Sequence, residues 1–280
     1  MRLVSFSYAD AFLRAAEPVL LKEEARCALM LGICLRMREG RTIGDGPPLF
    51  ACVQKGETAR LLAVRTPPHN LLVHASGDPA ESGGFLAEHL AEAGERFPGV
   101  HGVSETAARF AEAWTSASGC TSTVSMAQRL YRLTEATAPV GVPGRFRIAT
   151  ARDREMLVSW TEAFAEEALG SALRTDSSEM VERLTRAGAL AVWDDGGPVS
   201  MASSNRPTPS GIAINLVYTP PEKRGKGYAS ACVAEISRRQ IEAGKSFCTL
   251  FTDLANETSN ALYQRVGYRP IADFAEIKFS

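Results

Sequence analysis

The sequence predicts an α/β (α+β) protein, with a mixed central sheet flanked by helices and two consecutive units. Three observations lead there. Short apolar runs bounded by Gly, Pro and Asn alternate with longer runs of helical period throughout the chain. At 280 residues and 45% apolar content it can bury a full core, and its length suits two domains of ordinary size. Finally, "EATAPVGVPGRF" sets two prolines and two glycines between regular stretches. That places a boundary near residues 136–145 and gives units 1–139 and 140–280.

In the first unit, "DAFLRAAEPVLLKEEARCALMLGICLRM" alternates apolar and charged residues with helical period and is expected to break near Pro18. Three short extended segments follow, "FACVQKG", "ARLLAVRT" and "NLLVHAS", punctuated like neighbouring strands. "ESGGFLAEHLAEAGERF" reads as a helix and "GVHGV" as a strand. "SETAARFAEAWTSAS" reads as a second helix with Ser104 as its cap.

The second unit opens with the strand "RFRIAT", a helix from about Asp153 through "REMLVSWTEAFAEEAL", and a helix "SSEMVERLTRAG" capped by Ser177 or Ser178. The strand "ALAVWDDGG", the hairpin-like pair "PVSMASSNR" and "SGIAINLVYTP", and a Gly-rich stretch opening a helix come next. The strand "SFCTLFTD", the helix "SNALYQRVG" and a last strand "FAEIKF" complete a βααβββαβαβ order.

Acidic and basic residues nearly cancel, to a formal charge of −1, so no global field recruits nucleic acid or an anionic membrane. Cys27, Cys34, Cys52, Cys120, Cys232 and Cys248 form no C-x-x-C pair and no zinc-site spacing. A reducing, cytoplasmic compartment and no metal are expected. "MRLVSFSYAD" lacks the basic start and apolar core of a signal peptide, and no run long enough to cross a membrane follows. His69, His74, His89 and His101 all lie in the first unit without ligand spacing, and no Gly-x-Ser-x-Gly elbow supports serine-triad chemistry.

The stretch with most chemistry is "RGKGYASACVAEIS", residues 224–237. It follows "IAINLVYT", a strand apolar at nearly every position, as expected for one covered on both faces. Gly225 and Gly227 at the start of a helix leave backbone N–H groups free for an anion, beside Arg224 and Lys226. A plain turn and cap explains the same glycines equally well. Downstream, Asn256 or Ser259 fits a helix cap, Tyr263 a core-edge position and Gly267 a helix terminator. Both segments immediately follow strands, so both can project from the same edge of a sheet.

In this order the second unit resembles the GNAT superfamily, the acetyl-coenzyme A-dependent N-acetyltransferases. The family's loop pattern [RQ]-x-x-G-x-[GA] is met by Arg224, Gly227 and Ala229 of "RGKGYA". "NETSNALYQRVGY" supplies Asn256, Tyr263, Gly267 and Tyr268 at the family's later landmarks. The resemblance covers residues 145–280. The first unit has no copy of the loop, and its element order is compatible with a degenerate GNAT-like unit, a tandem arrangement.

The resemblance implies acetyl-CoA as cosubstrate and an amine of a small molecule or peptide as acceptor. It places the pantetheine arm along the backbone of Val217, Tyr218 and Thr219, an added strand on an open edge. The pyrophosphate falls to Arg224, Gly225, Lys226, Gly227, Tyr228, Ala229 and Ser230, with Asn256 near the arm and Tyr263 at the thioester sulfur. A phenol (ordinary pKa ~10) is matched to a departing thiolate (~8.5), making Tyr263 the candidate acid. The N–H of Val217 is the candidate carbonyl polariser. The base is unassigned. Asn215 stands on the central strand where relatives place an acid, and Glu162, Glu166 and Glu167 are either pocket residues or a solvated helix face. Trp160 and Phe164, one helical turn apart, and Met201 and Ser203 are acceptor-wall candidates that packing explains as well. A noncatalytic acyl-CoA-binding or regulatory module is the alternative function.

Overall fold

A computed structural model describes residues 1–169 and 176–280 of the chain. Among these the chain runs twice through one order: strand, two helices, three strands, helix, strand, helix, strand. The first series is β1 (Arg2–Phe6), α1 (Ala9–Lys22), α2 (Glu24–Arg38), β2 (Leu49–Lys55), β3 (Thr58–Arg65), β4 (Leu71–Ala75), α3 (Pro79–Glu92), β5 (Gly99–Val103), α4 (Ser104–Ser118) and β6 (Ser122–Leu133). The second is β7 (Arg145–Ile148), α5 (Arg154–Leu169), α6 (Ser177–Arg186), β8 (Leu190–Asp194), β9 (Pro198–Asn205), β10 (Gly211–Tyr218), α7 (Tyr228–Glu242), β11 (Phe247–Asp253), α8 (Glu257–Val266) and β12 (Arg269–Phe279).

Contacts divide the chain into two compact units, Met1–Leu130 with Pro270–Ser280, and Tyr131–Arg269. The boundary therefore falls inside β6, ahead of the proline-glycine segment, and the last strand joins the first unit. The sequence reading missed β6 because its first five residues are exposed or half-exposed and carry no apolar alternation. It also missed the short strand β1, which pairs antiparallel with β2 from Arg2↔Gln54 to Phe6↔Phe50.

In the first unit, β2 sends Phe50 and Cys52 to one face and Ala51 and Val53 to the other. The first pair packs under Phe12, Leu13, Leu20 and Leu31 of α1 and α2, the second under Leu86, Phe110 and Trp114 of α3 and α4. Burying each such side chain contributes roughly 1.5–3 kcal/mol, so a strand buried on both faces is strongly held in register. Ile277 and Ala275 of β12 complete the α3/α4 core, and β12 pairs antiparallel with β5 from Phe274↔Val103 to Lys278↔Gly99.

Pro18 does not break the first helix. It lies inside α1 on the exposed side with Arg14, so the carbonyl it leaves without an N–H partner faces water. The interruption comes at Glu23, which leaves helical backbone at φ −124° and ψ 43°. Two caps also differ from expectation. Ser104 is already the first residue of α4, which starts after Val103 without a side-chain cap. α6 is capped by Asp176, whose carboxylate accepts from Ser178 N and Glu179 N, and not by Ser177 or Ser178.

In the second unit, β7, β8, β9 and β10 are antiparallel neighbours in that order, and β10 runs parallel to β11. One face carries a core with Cys232, Val233, Ile236 and Val266 of α7 and α8. The other carries Leu157, Val181 and Leu184 of α5 and α6.

Candidate functional site

Strand β10 changes face along its length. Ile212 and Ile214 pack with the α7/α8 core, but Leu216 and Tyr218 pack with the α5/α6 core. A strand of period two would keep all four on one side. The cause is a bulge against β9, where the partner of Asn215 is Ser203 and the partner of Tyr218 is Met201, so one extra residue sits on β10. Leu216 takes a positive φ of 49° there, and Val217 turns toward the α7/α8 core. Side chains of β9 hold the distorted strand. Ser203 Oγ donates to the Asn215 carbonyl at 3.2 Å, and the fully buried Ser200 donates to the Tyr218 carbonyl at 3.1 Å and accepts from Thr219 Oγ1 at 2.9 Å.

Ahead of the bulge, β10 already leaves its parallel neighbour. Pairing runs from Gly211↔Phe247 to Ala213↔Thr249, yet β10 continues to Tyr218 and β11 to Asp253. The two central strands part, and the chain passes from β10 through a 3-10 turn at Pro221–Lys223 into the glycine loop.

That loop is a helix start without a side-chain cap. Gly225 and Gly227 have φ of +79° and +81°, and Gly227 is the N-cap of α7. The first turn of α7 carries no acidic residue, and Gly225, Lys226 and Gly227 are exposed. An N-terminus of this kind presents N–H groups and a positive dipole end to an incoming anion. Tyr228 is anchored beneath, its hydroxyl donating to Asp195 Oδ2 at 2.5 Å, which pushes the phenol's pKa up. Ser230 is buried and Ala229 half-buried.

Arg224 does not extend over the loop. Its Nη2 lies 2.9 and 2.7 Å from the two carboxylate oxygens of Glu167, and its Nε donates to the Thr219 carbonyl at 2.9 Å. Asn256 serves as the N-cap of α8, its Oδ1 accepting from Ser259 N at 2.9 Å. Tyr263 is buried between Tyr131 and Tyr268, with ring centroids 6.4 and 6.0 Å away. Burial pushes its hydroxyl's pKa well above the ordinary value, so it is protonated at neutral pH.

Trp160, Phe164 and Met201 gather in one cluster with Leu216 and Tyr218, and the Trp160 and Tyr218 rings are 6.1 Å apart. The side chain of Asn215 is taken up by its neighbours. Its Oδ1 accepts from Ser203 Oγ and, at 3.1 Å, from Asn205 Nδ2, while its Nδ2 donates to Asn205 Oδ1 at 2.9 Å. Glu162 and Glu166 are exposed on α5.

Sequence reading missed Ser200 and Asn205, whose partners depend on strand register, and Asn260. Asn260 Nδ2 donates to the carbonyls of Asp253 and Asn256 at 2.9 and 2.8 Å, and its Oδ1 accepts from Tyr131 at 2.9 Å. It thereby ties the end of β11 to α8. Its position one turn into a capped helix was the available signal.

Outside this region, burial pushes the thiols of Cys27, Cys34, Cys232 and Cys248 up to about 12 and that of Cys52 to about 11, as for small core hydrophobes. Burial lowers the pKa values of His74 and His101. Among the described residues no group of His, Cys, Asp and Glu is arranged to hold a metal ion, and no helix is long and apolar enough to cross a membrane.

A mixed sheet whose bulged central strand parts from its parallel neighbour, above a glycine-started helix, defines a GNAT-type fold. Residues 196–276 match the family model described as FR47-like protein, a span that takes in β9 through most of β12. Solved structures resemble the chain over nearly its whole length. A Drosophila protein is 14% identical with a TM-score of 0.70, covering 99% of this chain and 98% of its own. A GCN5-related N-acetyltransferase from Sphaerobacter thermophilus is 18% identical, with TM-score 0.65 and coverage of 99% and 95%. A tandem GNAT protein from the clavulanic acid biosynthesis pathway is 13% identical, with TM-score 0.54 and coverage of 100% and 98%. No curated protein matches. These likenesses show that the chain shares the fold of GNAT acetyltransferases.

Proposed function

We propose that the second unit binds acetyl-CoA and passes its acetyl group directly to a primary amine of a small molecule or peptide. One observation carries this reading: the gap between β10 and β11 opens beyond Ala213↔Thr249, and β10 then leads through a short turn to the uncapped start of α7. An extended thioester arm fits along an unpaired strand edge, and a diphosphate fits a helix N-terminus that lacks its own anion.

When bound, acetyl-CoA supplies an activated acyl group. Residues of this chain do the rest. The backbone of Val217, Tyr218 and Thr219 lines the arm, and the loop from Gly225 to Ser230, with Lys226, holds the diphosphate. Val217 follows the positive-φ residue of the bulge, which turns its peptide out of the ladder, and its N–H polarises the carbonyl. Tyr263, kept protonated by burial, gives its proton to the departing sulfur, and the proton that the attacking amine loses restores the phenol. Trp160, Phe164 and Met201 form the acceptor wall. Asn256 supports the site as the cap of α8, and Ser203 and Asn215 as members of the amide-hydroxyl cluster beside the bulge.

The first unit is proposed to be a degenerate copy of the same fold. Its helix α3, in the place that α7 holds in the second series, is capped by Asp78, whose carboxylate accepts from Ala80 N at 2.9 Å. Pro79 removes a further N–H. An internal carboxylate thus occupies the position where a phosphate would sit. Strand β4 pairs with β3 without a bulge, from Leu61↔Ala75 to Val64↔Leu72. A reducing, cytoplasmic setting is part of the same proposal, in keeping with the free state of the cysteines.

The noncatalytic acyl-CoA-binding reading is favoured by one feature, the central-strand Asn215, which is not a proton acceptor and whose amide is already bonded. Titration calorimetry with acetyl-CoA, followed by coenzyme A release across a panel of amines, tests both. Binding with turnover supports the enzyme, and binding without turnover supports the module. Absence of binding to folded protein at millimolar acetyl-CoA rejects the cofactor site.

A further inference from the structure

Arg224 is the loop's arginine, yet its charge is already answered within the unit. Glu167 reaches it from α5, 57 residues earlier in the chain, with both carboxylate oxygens within 2.9 Å of Nη2. The guanidinium carbon sits 5.8 Å from the centre of the Tyr218 ring, and Nε is held by the Thr219 carbonyl. Both side chains of the ion pair are about half exposed, 47% for Arg224 and 46% for Glu167. The contact therefore lies at the surface, within reach of a ligand on the loop.

We infer that Glu167 is an internal anion that competes with the cofactor's diphosphate for Arg224, and so sets cofactor affinity. The inference rests on the acetyl-CoA site proposed above. A carboxylate carries one charge and holds Arg224 from one side. A diphosphate carries more charge and gains the N–H groups of α7 as well. An exposed ion pair is worth a factor of about five at most in an equilibrium constant, so the cofactor can displace Glu167 without a large loss. Glu167 shares a helix with Trp160, two turns away, and Phe164, one turn away, so the displaced carboxylate belongs to the element carrying the acceptor wall. Competition at Arg224 links the two halves of the site through one side chain.

The test is acetyl-CoA calorimetry on the full chain with Glu167→Gln, Arg224→Gln and the double variant. Glutamine keeps the size and helix propensity of Glu167 at an exposed position, so folding is preserved. Glu167→Gln should bind acetyl-CoA about two- to fivefold more tightly, with the gain reduced at high salt. The gain should vanish in the Arg224→Gln background, because no arginine is left to release. Unchanged or weaker affinity in Glu167→Gln overturns the inference, as does an equal gain without Arg224, which would reduce Glu167 to general repulsion. Failure of every form, wild type included, to bind acetyl-CoA overturns the cofactor site itself and this inference with it.

Discussion

Replacing Gly227 by alanine separates what the loop needs from what the fold needs. At φ +81° an L-residue costs about 1–2 kcal/mol relative to glycine. The added methyl group would also sit 2.9 Å from Val142 Cγ2, and moving a valine off its rotamer costs about 0.5–1.5 kcal/mol more. Gly225→Ala provides the internal control. Its φ is +79°, but nothing lies within 4 Å of the new methyl, so it should lose only the conformational part. Gly227→Ala should therefore be the less stable by about 1 kcal/mol, and Val142→Ala should recover that difference in a double-mutant cycle. A total loss of roughly 2–3 kcal/mol leaves a domain of ordinary stability folded. In calorimetry the folded Gly227→Ala protein should bind acetyl-CoA at least about tenfold more weakly, some 1.4 kcal/mol, because relieving the positive φ and the Val142 contact shifts the first turn of α7, whose N–H groups face the anion. Wild-type affinity in that variant would refute the assignment of the loop, and equal destabilisation at 225 and 227 would refute the Val142 contact.

Tyr263→Phe should lower turnover by about 10²-fold with little change in acetyl-CoA affinity, measured by steady-state kinetics beside calorimetry; equal losses in both would make Tyr263 a cofactor contact instead. A fragment of residues 140–280 should aggregate, since it omits Tyr131 and Leu133 from the second unit's core and exposes Ala275 and Ile277, while 131–269 should be the more soluble piece in size-exclusion chromatography. Arg147 bonds both oxygens of Asp153 at 2.7 and 2.8 Å and, with Thr150, holds the carboxyl's pKa down at about 2. The folded value lies below the unfolded one (~3.9), so this contribution, about 2–3 kcal/mol, is complete above pH ~4 and is lost as pH falls through about 2. Urea midpoints should thus fall more steeply from pH 5 to pH 2 in the wild type than in Asp153→Asn, and parallel curves would exclude Asp153 as the cause.

What the sequence determined by itself is local. The glycines at 225 and 227, the cap at Asn256 and the terminator at Gly267 act through backbone geometry within a turn or two, and each is found where its chemistry placed it. The element order of the second series was readable for the same reason, because period and punctuation are short-range properties. Tertiary structure decided what depends on register and on distant segments. The half-exposed β6 shows no alternation, so neither the strand nor the boundary within it could be read. The bulge that moves Leu216 and Tyr218 to the α5/α6 face arises from pairing with β9, and no pattern in "IAINLVYT" announces it. Arg224 meets Glu167, Ser200 meets Tyr218 and β12 meets β5 only once the sheet is assembled, because hydrogen bonds and ion pairs depend on distance in space, whereas periodicity reports only on neighbours along the chain.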